Sequence, residues 1–133
     1  MGEFRMMERF NTISLNLMRI IAGFLFMPHG AQKLFGAFGQ NPAELVSLFG
    51  AAGVLEFFGG WAIMLGLFTR PVAFVLSGQM AVAYFTAHAP RAFWPIQNGG
   101  ELAAFYCFVF LFLSAHGGGE FSIDGLMRRK RAS

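Results

Sequence analysis

Residues 45–68, LVSLFGAAGVLEFFGGWAIMLGLF, decide the fold. The run carries a single charge, Glu56 near its middle, and is long enough to cross a membrane, which takes about 20 apolar residues. Gly59 and Gly60 follow Glu56 by three and four positions and so share its helix face. Small residues let membrane helices approach closely, so Glu56 should point into protein rather than into lipid. An ionisable group at bilayer depth is expensive and normally faces a protein interior or a wet cavity.

Working outward, three more apolar stretches surround this one. Ser14 to Phe35 carries Arg19, Pro28, His29 and Lys33. Thr69-Arg70-Pro71 reads as a tight turn, and the span from Pro71 to Ala89 holds Tyr84 and His88. Glu101 to Ala115 forms the fourth. Residues 36–42 (GAFGQNP) and 90–100 (PRAFWPIQNGG) are loops, and Trp94 in the second suits an interfacial anchor. The connections are short, so neighbouring helices should be antiparallel. The expected architecture is all-α: a transmembrane four-helix up-down-up-down bundle, one domain over residues 1–133, with spans at about 14–35, 45–68, 71–89 and 101–115.

Composition agrees. The 133 residues are 56% hydrophobic and 13% charged, with 18 phenylalanines, and most charges fall at span ends and connections. Four crossings put both termini on one side. That side collects Arg5, Arg9, Arg70 and the run Arg128, Arg129, Lys130 and Arg131, against Lys33 and Arg91 on the other. The positive-inside rule then makes both termini cytoplasmic, in a protein of the inner membrane. Arg19 breaks the apolar core of the first span and no A-x-A-like site follows, which argues against a cleaved signal peptide. The basic residues lack the aromatic interleaving of a nucleic-acid surface, so nucleic acid is not an expected partner. Cys107 is the only cysteine, which excludes an intrachain disulfide, a CxxC redox pair and a cysteine-ligated cluster. It reads as a small buried hydrophobe.

Depth sorts the polar groups. His29, Lys33, His88, Arg91 and Glu101 fall toward the outer face, with Glu56 between there and the midplane. Arg19, Arg70, His116 and Asp124 fall toward the cytoplasm. His29 and Lys33 lie four residues apart, on one side of a regular helix. An outer cavity lined by His29, Lys33, Glu56, His88 and Glu101 is therefore expected, with Phe26, Phe57, Tyr84, Phe93 and Phe105 available as flat walls. Pro28 is expected to loosen the helix locally and alter the angle between His29 and Lys33. Histidine exchanges protons near neutral pH, and a carboxylate in an apolar site can do so too. Such a cluster suits a molecule that enters from the bilayer and exchanges protons, such as a quinone. Glu56 and His29 are the candidate catalytic residues, and Lys33, His88, Glu101, Arg19 and Tyr84 the candidate ligand contacts. The architectural alternative has Glu56 pairing with Arg19, Lys33 or a histidine simply to tie helices together. The two halves also echo one another: histidine and a cation end one helix, and a carboxylate with Gly-Gly marks the next.

The chain resembles the DoxX family of small four-helix membrane proteins. The resemblance rests on the HGxxKLFG element at residues 29–36, preceded by Arg19 in RIIAGFLF, and on Glu56-Phe57-Phe58-Gly59-Gly60. It extends to Gly66-Leu67-Phe68-Thr69-Arg70, to Gly99-Gly100-Glu101-Leu102-Ala103 and to the closing GGEFSID at 118–124. The family takes its name from a subunit of an archaeal terminal quinol oxidase, in a complex with thiosulfate:quinone oxidoreductase activity. Other members accompany membrane oxidoreductases that handle thiol or oxidative stress. The resemblance implies Arg19, His29, Lys33, Glu56, Arg70 and Glu101 as functional positions, with quinone as cofactor and membrane lipid and redox proteins as partners.

Two functions stay open on the sequence. One is the quinone-interacting membrane component of an oxidoreductase complex, with a partner supplying electrons; catalysis by this chain alone is undecided. The other is a non-enzymatic scaffold, assembly factor, or binder or transporter of a small amphiphile. Haem held by His29 and His88 is disfavoured, since helix-end histidines are common, and no paired His/Cys spacing suggests zinc.

Overall fold

The computed structural model describes residues 1–39, 41–44 and 47–132, so the expected start of the second span at Leu45 lies outside the described residues. Among them the chain is all-α, without strands. Helix α1 (Gly2–Phe35) begins a dozen residues before the expected span. The segment before Ser14 is rich in Met, Glu and Arg, good helix formers that let the apolar helix extend outward. Contrary to expectation, Pro28 does not interrupt α1, which runs on to Phe35 and closes at Gly36 in the left-handed conformation.

Helix α2 (Leu48–Leu65) starts at Ser47, whose hydroxyl accepts from the Gly50 amide at 3.0 Å. Helix α3 (Thr69–Ala83) is capped from a distance. Asp124 accepts from the amides of Phe68 and Thr69, each at 2.8 Å. Residues Tyr84–His88 continue α3 as one wide π turn. The second loop contains a single helical turn, α4 (Pro95–Asn98), before α5 (Glu101–His116). The segment after His116 is ordered too: it folds back and forms α6 (Ile123–Ala132).

Helices α1 and α2 pack with backbone against backbone. A Cβ on Gly23 would lie 2.6 Å from the Gly60 carbonyl oxygen, and one on Gly30 would lie 2.7 Å from that of Gly53. The partner numbers fall as the α1 numbers rise, so the two helices are antiparallel. Helix α3 packs chiefly on α5, joined by the Ser77 hydroxyl to the Cys107 carbonyl at 2.7 Å. The core gathers Phe26, Ile63, Leu76, Tyr106, Phe110 and Leu113 from all four long helices.

Polarity is inverted relative to a water-soluble domain. Arg19 and Glu56 are 1% and 3% exposed, whereas Phe24, Phe58, Phe74, Phe85 and Phe108 are each more than half exposed. Apolar side chains outside and polar groups gathered inside suit a hydrocarbon solvent. Two helices, α1 and α2, are long and apolar enough to cross a membrane, and α5 is apolar but shorter.

Candidate functional site

The close approach of α1 and α2 sets the first element of the site. With Gly30 against the backbone of Gly53 and Phe57, the next turn of α1 brings Lys33 over Glu56. The Lys33 ammonium donates to both carboxylate oxygens, at 2.7 and 2.6 Å. The Glu56 side chain is 4% exposed and that of Lys33 28%, so the acid is dry and the base reaches toward open space. Of the pairings open to Glu56, the one with Lys33 is the one formed.

Beside this pair is a cavity of about 270 Å³ whose polar lining is His29, Lys33, Glu56 and His88. Its apolar walls include Phe26, Met80, Leu102 and Tyr106. Phe26 meets Tyr106 edge-on at 5.0 Å between ring centroids, while His29 stands 6.4 Å from each. The imidazole of His29 makes no hydrogen bond with any described residue and is available to a ligand. His88 sits in the π turn, and its Nδ1 lies 3.1 Å from the Asn98 carbonyl oxygen. A carbonyl can only accept, so Nδ1 carries the proton and Nε2 of the neutral ring keeps its lone pair.

Asn98, which the sequence reading passed over as a loop residue, fixes this corner. It is 1% exposed. Its amide donates to Tyr84 Oη at 3.2 Å and to the Ala92 carbonyl at 3.1 Å, and its side-chain oxygen accepts from the Gly100 amide at 2.7 Å. Its only sequence signal was a place in the turn-forming run Gln97-Asn98-Gly99-Gly100.

Three expected site residues lie elsewhere. Glu101 opens α5 and is exposed, because a residue at the first helical position points off the helix end rather than onto its packed face. Tyr84 stands behind the cavity, bonded to Asn98. Arg19 belongs to the other end of the molecule. Its guanidinium donates to the last-turn carbonyls of α2, Ile63 at 3.0 Å and Met64 at 2.7 Å, and to the Phe121 carbonyl at 2.8 Å. There the negative end of the helix dipole and the returning chain hold the charge. Among the expected walls, Phe93 and Phe105 are strongly exposed and Phe57 does not line the cavity. Tyr106 takes their place.

The DoxX family model matches residues 14–89 of this chain. The protein belongs to the DoxX family. It is 37% identical, over 131 residues, to a protein of Haemophilus influenzae (strain ATCC 51907 / DSM 11121 / KW20 / Rd) described as uncharacterized, spanning 93% of this chain and 98% of that relative. No solved structure matches it. Within this DoxX membrane protein the motif residues divide by end. His29, Lys33 and Glu56 line the cavity, whereas at the opposite helix ends Arg19, Gly66 and Asp124 tie in the returning segment and Arg70 joins the start of α3 to the end of α5.

Proposed function

We propose that this DoxX protein is an inner-membrane four-helix up-down-up-down bundle, with both termini cytoplasmic, whose cavity holds a quinone head group for an oxidoreductase complex. The observation that carries the reading is the convergence of the Lys33–Glu56 pair, an unbonded His29 and a tautomer-fixed His88 on one aromatic-walled cavity. Its volume of about 270 Å³ falls just below the ~300–1,000 Å³ of drug-sized sites, which suits one substituted ring with its tail left in lipid. The residues fit such a group: Lys33 and His29 offer donors for ring oxygens, Glu56 holds the ammonium in place, and His88 Nε2 can hold a proton. A bound quinone supplies two-electron, two-proton chemistry, and a partner protein supplies the electrons.

The alternative, a non-enzymatic scaffold, assembly factor or small-amphiphile binder, draws on a specific observation. Lys33 engages both oxygens of Glu56, the arrangement expected of a helix tie. Mild-detergent extraction of the full chain, followed by solvent extraction and ultraviolet spectra of bound lipid, separates the readings. Quinone should accompany the wild-type protein and be lost from His29→Ala and His88→Ala variants that remain folded. Wild-type protein free of quinone and indifferent to a short-tailed quinone analogue would sink the leading reading. The topology has its own test: a reporter fused after Ser133 should be cytoplasmic and one at Gln97 external, and the reverse result would overturn it.

A further inference from the structure

A second cavity lies at the other end of α3 from His88, where the returning segment meets the starts and ends of the helices. It has a volume of about 290 Å³, and Arg70, Arg128 and Arg131 line it together with Asp124 and Phe68. Three guanidiniums thus face one carboxylate, and that carboxylate is already committed to the amides of Phe68 and Thr69. Arg70 is fixed, because it donates to the carbonyls of Ala115 and His116 at the end of α5. Arg128 and Arg131 lie three residues apart on α6, are exposed, and make no hydrogen bond or ion pair with a described residue. Phe68, 60% exposed, stands with Pro71 and Met127 in the lining and gives the cationic hollow an apolar side. Cations within a cavity and an exposed aromatic ring at its edge match a phosphate head group above and acyl chains beside it.

We propose that this cavity binds a phosphate-bearing anion, either the head group of an anionic phospholipid or free phosphate, between the exposed Arg128 and Arg131 and the fixed Arg70. The site is separate from the quinone cavity and stands whether or not that reading holds. Fully charged guanidiniums pair with phosphate oxygens through paired N–H donors, a geometry that lysine does not provide.

The test uses the full chain in detergent micelles, titrated with phosphatidylglycerol or phosphatidylcholine and read by native mass spectrometry. Phosphatidylglycerol should bind in preference to phosphatidylcholine. The double variant R128Q/R131Q should weaken that binding about tenfold or more. The charge-matched double R129Q/K130Q, whose residues do not line the cavity, should change it less than about threefold. Equal losses in the two doubles would overturn the site in favour of diffuse attraction, as would equal binding of the two lipids. Displacement of phosphatidylglycerol by millimolar inorganic phosphate would support the anion site with a soluble occupant; no displacement would support a lipid one. Thermal melting of each variant reads the fold, and R131Q alone repeats the test if the double variant melts early.

Discussion

Lys33 and Glu56 should be unequal partners, and the inequality can be measured. In Lys33→Met the carboxylate of Glu56, 4% exposed, loses the donor to both its oxygens. Stranding one member of a buried pair costs ~3–5 kcal/mol. In Glu56→Gln the ammonium left behind belongs to a side chain 28% exposed, whose long stem lets it swing toward the open side. The amide oxygen of glutamine can still accept one bond, so the cost should be ~1–1.5 kcal/mol, that of a single hydrogen bond. The difference, about 1.5–4 kcal/mol, should appear in sodium dodecyl sulfate titrations of the protein in mixed micelles, followed by Trp61 and Trp94 fluorescence. The double variant K33M/E56Q should be more stable than K33M alone, because no uncompensated charge remains, and the coupling energy should reach ~1–3 kcal/mol. Equal destabilisation by the two single changes, or no recovery in the double, would refute the picture of a dry acid held by a half-wet base.

Gly30→Ala should cost ~1–3 kcal/mol in the same titration, since its Cβ would strike the backbone of Gly53 and Phe57. Gly78→Ala, with nothing within 4 Å of its Cβ, should instead stabilise α3 by about 0.5–1 kcal/mol. Asp124→Ala removes the cap on two α3 amides and should cost ~1–2 kcal/mol, with faster hydrogen exchange at Phe68 and Thr69 as the local signature.

Apolar run length made the long helices legible, and ionisable residues inside those runs marked the interior. The HGxxK spacing located one side of α1, and the Gly59-Gly60 pair correctly implied close packing near Glu56, although only Gly60 meets α1 while Gly59 meets Leu76 of α3. What failed to show had physical reasons. The π turn at residues 84–88 depends on loop contacts of His88 and Asn98 that no local propensity encodes. Glu101 looked like a counterpart of Glu56, yet one opens a helix and the other sits mid-helix, so their side chains meet different surroundings. Arg19 read as site chemistry because charge in an apolar run carries no label for its partner. That partner proved to be carbonyl oxygens supplied 44, 45 and 102 residues later in the chain. Residues 123–132 read as a tail because they lack a long apolar stripe, and they form a helix where Asp124 and Ser122 anchor its first turn.

The long reach of Arg19 has a bearing on biosynthesis. Helix α1 carries a cation that lacks one of its acceptors until the Phe121 carbonyl arrives, and the start of α3 likewise waits for Asp124. A chain halted earlier would keep a guanidinium short of an acceptor and a helix end uncapped. Closure of the native state therefore waits for residues 121–124, however much of the bundle before them has already packed.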